Sequence, residues 1–163
     1  ESGQRRIVEV VLTYHQPRQV LESQRNSLLR EVDRLLLLTD PDTQGDTALM
    51  VRIQLIQERC QYQEGGGTTA YDALLEGTAD SQGIALALTL LNQRAQNPVS
   101  CTVVDGQLKG SSHQWNVVET EAGYRHVDLT QQGAVLLQTD EEMTAAGYTW
   151  DTERVPVCTK EET

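Results

Sequence analysis

Thr78-Ala-Asp-Ser-Gln-Gly-Ile-Ala85 is the stretch from which the rest of the chain is read. Polar Thr78, Asp80 and Ser81 ahead of Ile84 and Ala85 mark a capped helix start. The helix that follows, Ser81 to about Arg94, is apolar on nearly every side through Ile84, Ala85, Leu86, Ala87, Leu88, Leu90 and Leu91. Such a helix belongs in the middle of a fold. Downstream, Ser-His-Gln-Trp-Asn-Val-Val (112–118) and Tyr-Arg-His-Val-Asp-Leu-Thr (124–130) read as two strands. A hydroxyl at the start of a buried helix, a histidine on one strand and a carboxylate on the next could meet as nucleophile, base and orienting group.

Residues that face each other in an antiparallel hairpin have a constant sum of residue numbers. An even loop around Thr120 and Glu121 sets Val117 opposite Tyr124, Trp115 opposite His126 and His113 opposite Asp128. Period-two alternation then puts His113, Trp115 and Val117 on one face with Tyr124, His126 and Asp128, while Asn116 points away. An odd loop without a bulge would send Asp128 to the other face.

Together these residues resemble a known family. Ala-Asp-Ser-Gln-Gly-Ile-Ala, then His113-x-Trp115-Asn116, then Tyr124-x-His126-x-Asp128-x-Thr130 is similar to the motif set of bacterial transglutaminase-like domains of the papain-like superfamily. The resemblance spans roughly residues 40 to 160, and three motifs in order are more specific than any one alone. It implies an α+β fold with helices packed on an antiparallel sheet and the nucleophile-position helix buried. It also implies a triad in which the histidine is His113, the aspartate Asp128 and the nucleophile Ser81. Serine stands where the family has cysteine, and Gln131 stands where the family has Trp after the final Thr. Trp115 and Gln82 are the candidate substrate-binding residues, Trp115 reading also as core. His126 shares the face of His113 and reads as structural.

Composition narrows the classes. A chain of 163 residues is about one domain long, and one domain over 1–163 is expected. Hydrophobic residues make up 38% and Phe is absent, so the core rests on Leu, Val, Ile and Ala. A formal charge of -11 argues against binding phosphate backbones, which need clustered Lys and Arg. No apolar run approaches the roughly 20 residues of a membrane span. The missing initiator Met suggests a trimmed chain of an extracytoplasmic protein, expected as a monomer. Cys60, Cys101 and Cys158 lack metal-ligand spacing, so neither metal nor other cofactor is expected. They read as small buried apolar residues, with a Cys101–Cys158 disulfide as the alternative.

The other elements follow from pattern. Ile7–Tyr14 is expected as a strand closed by Pro17, with His15 exposed. A helix is expected over Arg18–Leu38 with Val20, Leu28, Val32, Leu35 and Leu36 on its apolar stripe, and another over Thr47–Gln61 burying Leu49, Ile53, Ile56 and Cys60. Gly65-Gly66-Gly67 reads as a hinge or loop, since no Gly-Lys-Ser or Gly-Lys-Thr follows to make a phosphate loop. A short helix over Thr69–Leu75 ends at Gly77. A strand over Val99–Val104, a Gly- and Ser-rich loop over Asp105–Ser112, a strand over Ala134–Leu137 and a helical turn over Asp140–Ala146 complete the chain.

Ser81 decides the chemistry. A thiol of pKa about 8.5 is readily ionised by a helix N-terminus and a nearby imidazolium, whereas a serine hydroxyl is not. Ser81 acts only if His113 takes its proton in the transition state. Its hydroxyl reads equally as a cap accepting from Gly83 or Ile84, and the Asp80 carboxylate opposes an oxyanion unless it is occupied as the cap. The expectation is a degenerate member that binds a peptide or amide-bearing ligand with little or no acyl transfer. The alternatives are an active acyl transferase, amidase or peptidase using the same triad, and a purely structural domain.

Overall fold

Helix α3, Ser81–Arg94, starts and stops where its sequence pattern does. The computed structural model describes residues 16–131 and 134–160. The strand expected at 7–14 and His15 lie outside the described residues. Before α3 come α1 (Arg18–Leu36) and α2 (Gly45–Arg59), then β1 (Gln61–Tyr62), a π-helical turn (Asp72–Glu76) and β2 (Thr78–Ala79). After it come β3 (Cys101–Leu108), β4 (Ser111–Thr120), β5 (Gly123–Asp128), β6 (Val135–Gln138), α4 (Asp140–Ala145) and β7 (Tyr148–Trp150). Five of the strands form one antiparallel sheet in the order β6-β5-β4-β3-β7, and β1 pairs in parallel with β2. This is an α+β architecture.

Both N-terminal helices end two residues earlier than expected, and α2 also starts two earlier. Leu37 and Leu38, 84% and 65% exposed, leave α1 in a turn closed by Leu38 N–H to Leu35 and Thr39 N–H to Leu36. Only Val32 and Leu35 of the expected α1 stripe are fully buried, and Val20 is exposed. Helix α2 buries Leu49, Ile53 and Ile56 as expected, with Cys60 half-buried just past its end. The expected short helix is mostly the π-helical turn, and it stops at Gly77, whose φ of +79° suits a residue without a Cβ.

The loop expected over Asp105–Ser112 is instead strand. β3 runs on to Leu108 and turns into β4 through Lys109-Gly110 alone, with φ of +50° and +84°. Two positive-φ residues make the tight type I′ turn that matches strand twist. This extra length pairs β3 with β7, a strand the sequence pattern did not mark. Gly106 sits where they meet: a Cβ there would press on the Thr149 carbonyl and lie 2.6 Å from the Trp115 ring.

The β4–β5 register is shifted by two from the expected one. Val117 faces His126, Glu119 faces Tyr124 and Thr120 faces Gly123, because the loop is Glu121-Ala122 with Gly123 at φ +93° carrying the left-handed position. A shift of two preserves which face each side chain takes.

The sheet is covered on both sides. On one face α3 packs Ile84, Leu88 and Leu91 against Val118, Val127 and Cys101, with α1 and α2 outside it through Leu35, Leu49, Ile53 and Ile56. On the other, Val104, Trp115, Val117, Met143, Tyr148 and Cys158 form a second cluster under α4 and the tail. Full burial of one such aliphatic side chain contributes about 1.5–3 kcal/mol. Cys101 and Cys158 belong to opposite faces and all three cysteines are free, which corrects the disulfide alternative. Burial pushes the Cys101 thiol up to about 11. No helix among the described residues is long and apolar enough to cross a membrane.

Candidate functional site

The first turn of α3 is held from both sides. Asp80 is its N-cap, with Oδ1 accepting from Gly83 N–H at 3.1 Å, while Asp80 N–H donates to the Gly67 carbonyl at 2.9 Å. The Gly65–Gly67 segment therefore docks on the helix start. Gly83 lacks room for a side chain, since a Cβ would lie 2.8 Å from both Ala79 Cβ and the Gly67 carbonyl. With Asp80 as the cap, Ser81 is not one, which corrects that reading of its hydroxyl. The Asp80 carboxylate is occupied in this role.

Ser81 is 6% exposed and lies against β4. Its Oγ donates to Gln114 Oε1 at 3.0 Å and accepts the Gln114 backbone N–H at 3.2 Å. Gln114 is in turn anchored by its Nε2, which donates to Asp105 Oδ1 at 2.7 Å and Ser112 Oγ at 3.3 Å. Among the described residues, the hydrogen bonds of Ser81 thus go to the neighbour of His113 and not to His113 itself.

His113 is buried, and its Nε2 is 2.7 Å from Asp128 Oδ2. The register shift does not separate them, since both remain on the same face of the hairpin. Asp128, 1% exposed, also accepts from Tyr148 Oη at 2.7 Å, Thr130 N–H at 3.0 Å and Thr130 Oγ1 at 2.7 Å. Burial alone would raise its pKa; the hydrogen bonds from His113 and Tyr148 and then that from the Thr130 N–H outweigh it, so the carboxyl sits below its usual range. An ionised Asp128 can only accept, so His113 Nε2–H donates to it and Nδ1 is the bare nitrogen, the one left to act as a base. Gln131 donates its amide to Thr130 Oγ1 at 3.2 Å.

A pocket of about 130 Å³ opens beside His113, lined also by Tyr62, Glu64, Leu108, Ser111, Ser112 and Gln131. Glu64 is the one carboxylate among these lining residues. Burial, and then the charges of Glu64, Asp128 and Asp80, push the Tyr62 phenol above its ordinary value. Trp115 is 1% exposed and packed edge-on against Tyr148 and Trp150, so it supports the site from within and does not wall the pocket. Gln82 is exposed at the start of α3 and is not among the pocket-lining residues.

His126 has a different role. Its Nδ1 accepts from Trp115 Nε1–H at 2.9 Å and its Nε2 meets Asp140 Oδ1 at 2.8 Å, while Asp140 Oδ2 accepts Cys158 N–H at 3.1 Å. Potential ligand atoms of His126, Asp140 and Cys158 lie within 4.8 Å of one another. The tautomer argues against a metal there. Indole is a donor only, so His126 Nδ1 must be the bare nitrogen and Nε2 carries the proton that a cation would have to displace. Burial holds His126 below its ordinary pKa despite Asp140, and pushes the Cys158 thiol up to about 12.

Sequence reasoning did not find Tyr148 or Gln114. Tyr148 reaches Asp128 only because β7 pairs with β3 across the sheet, and nothing local announces that. Gln114 carried a signal, since alternation turns it with Asn116 towards α3 and so towards Ser81.

No protein-family model matches the chain, and no curated protein matches it. A solved structure described as the crystal structure of a TGase matches 82% of this chain at a TM-score of 0.51 and 10% sequence identity. This chain spans 38% of the length of that one. At this identity the likeness is one of fold, and the fold of this chain is similar, at a distance, to that of a TGase.

Proposed function

We propose that this chain is a degenerate transglutaminase-like domain: it keeps a His113–Asp128 pair beside a small polar pocket and binds a peptide or amide-bearing ligand there, with little or no acyl transfer. The observation that carries the reading is the Ser81 hydroxyl, held by Gln114 Oε1 at 3.0 Å where an acyl-transfer nucleophile needs His113. A hydroxyl gains little from the helix N-terminus that would ionise a thiol, which further favours binding over turnover. Ser111, Ser112, Gln131 and Glu64 offer the pocket the donors and acceptors that an amide group uses.

The alternative is an acyl transferase, amidase or peptidase in which Ser81 attacks and His113 acts as general base. It is favoured by the ionised Asp128, which directs the bare Nδ1 of His113 away from itself. Intact-mass analysis after incubation with a fluorophosphonate separates the two. The binding reading expects no adduct on the folded protein. A single adduct at Ser81 that disappears in His113→Ala would overturn it in favour of the enzyme.

A further inference from the structure

A cavity of about 540 Å³ lies at the far end of α3 from Ser81. A helix of this length separates the two places by about 20 Å. Leu36, Leu37 and Pro41 give the cavity apolar walls, and Arg52 lines it. Arg52 is 5% exposed. Its Nη1 donates to Asn92 Oδ1 at 2.9 Å and its Nη2 to the Asn97 carbonyl at 2.7 Å, both neutral acceptors.

A guanidinium has five N–H donors, and among the described residues no carboxylate is paired with this one. The carbonyl end of α3 supplies about half a counter-charge, which leaves a buried cation short of full compensation. Burial lowers the Arg52 pKa from its ordinary value. The acids nearby do not fill the gap. Asp33 is engaged by Arg94, whose Nε and Nη2 reach Asp33 Oδ1 at 3.0 and 2.8 Å. Asp40 turns its Oδ1 to the Asp42 N–H at 2.9 Å.

We infer that this cavity binds an apolar monocarboxylate, with the carboxylate on Arg52 and the hydrocarbon against Leu36, Leu37 and Pro41. A volume of this order suits a small ligand. The planar guanidinium fork matches a carboxylate. Two arginines and two aspartates line the cavity, so its charge sums to zero and a multiply charged anion such as phosphate gains less than a monoanion. The inference does not depend on the reading of Ser81.

The test is titration of the full chain with sodium hexanoate at constant ionic strength, followed by ¹H–¹⁵N spectra that include the Arg52 side chain. Hexan-1-ol and inorganic phosphate serve as comparisons. The expected result is a saturable shift at Arg52 and at residues 36–43 and 94–97, with the alcohol and phosphate each weaker by about tenfold or more. Leu37→Asp, at a rim position 84% exposed and so tolerant of change, should weaken hexanoate by about tenfold through charge repulsion. Titration with N-acetyl-leucine separates two sources of the same chemistry: tighter binding than hexanoate marks a polypeptide C-terminus, weaker binding a free acid. The inference is overturned if hexanoate does not saturate, if hexanol or phosphate binds as tightly, or if Leu37→Asp leaves its affinity unchanged.

Discussion

Tyr148→Phe isolates the electrostatics of the buried carboxylate. The change removes one O–H donor, 2.7 Å from Asp128 Oδ2, and keeps the ring that packs 5.2 Å from Trp115. A hydrogen bond to a charged group contributes about 1.5–3 kcal/mol. Donors from His113 and Thr130 remain on Asp128, so the lower part of that range applies: about 1.5–2 kcal/mol, or roughly 3–8 °C in Tm for a chain of this size. The loss should depend on pH. Because the folded pKa of Asp128 is depressed, its ionised form contributes stability that is present above the unfolded pKa, about 3.9, and lost as pH falls through the lower folded value. Removing the phenol raises the folded pKa and shrinks that contribution. Urea unfolding of both proteins from about pH 7 down to about pH 3 should therefore give a difference that is largest near neutrality and narrows as Asp128 protonates. A difference below about 0.5 kcal/mol at neutrality, or one that stays flat with pH, would refute the assignment of Tyr148 as a donor that holds Asp128 ionised.

Ser81→Cys puts a thiol at the start of α3. Iodoacetamide at neutral pH should label it ahead of Cys101 and Cys158, whose thiols are buried and pushed up to about 11 and about 12, and His113→Ala in the same background should slow the labelling; equal rates with and without His113 count against an imidazole within reach. Gly106→Ala should destabilise the chain by about 1–3 kcal/mol in denaturant unfolding, since its methyl must displace the Trp115 ring or the β7 backbone, and a neutral result would mean that the sheet edge gives way easily. Cobalt(II) added at neutral pH should produce no thiolate-to-metal absorption from the His126, Asp140 and Cys158 cluster, whereas Trp115→Phe, which frees Nδ1 of His126 from its indole donor, should make the cluster more receptive; absorption in the unaltered protein would overturn the tautomer assignment.

Much of the fold was legible because burial and local chemistry agreed. In α3, apolar residues on nearly every side and the polar start at Asp80 and Ser81 both specify a buried helix, and its bounds follow. Hairpin parity was legible for a similar reason: alternation fixes the face of His113 and Asp128 under any even loop. The register itself was not, because nothing in Thr120-Glu-Ala-Gly123 except Gly123 signals where the chain reverses. The Lys109-Gly110 turn was hidden among the glycines and serines of 105–112, where composition suggests a loop and only the pairing of β3 with β4 and β7 makes strand the better solution. At the candidate site, the contact of His113 with Asp128 could be named in advance but the other hydrogen-bond partners could not. Gln114 on Ser81 and Tyr148 on Asp128 are long-range contacts, created by packing α3 and β7 onto the sheet.

Asn116 limits how such a site can change state. Its Nδ2 reaches the Ala85 carbonyl at 3.0 Å, Thr89 Oγ1 at 3.1 Å and the Thr102 carbonyl at 3.3 Å, from a side chain that is 2% exposed. One amide thus pins α3 to β4 and β3 at a single alignment. Sliding the helix by one residue, about 1.5 Å, would leave these buried groups without partners. Access to the Ser81 hydroxyl therefore turns on the Gln114 side chain: it can swing away while the helix stays in place only by giving up its bonds to Asp105 and Ser112, and the Gln114 backbone N–H stays on Ser81 Oγ throughout.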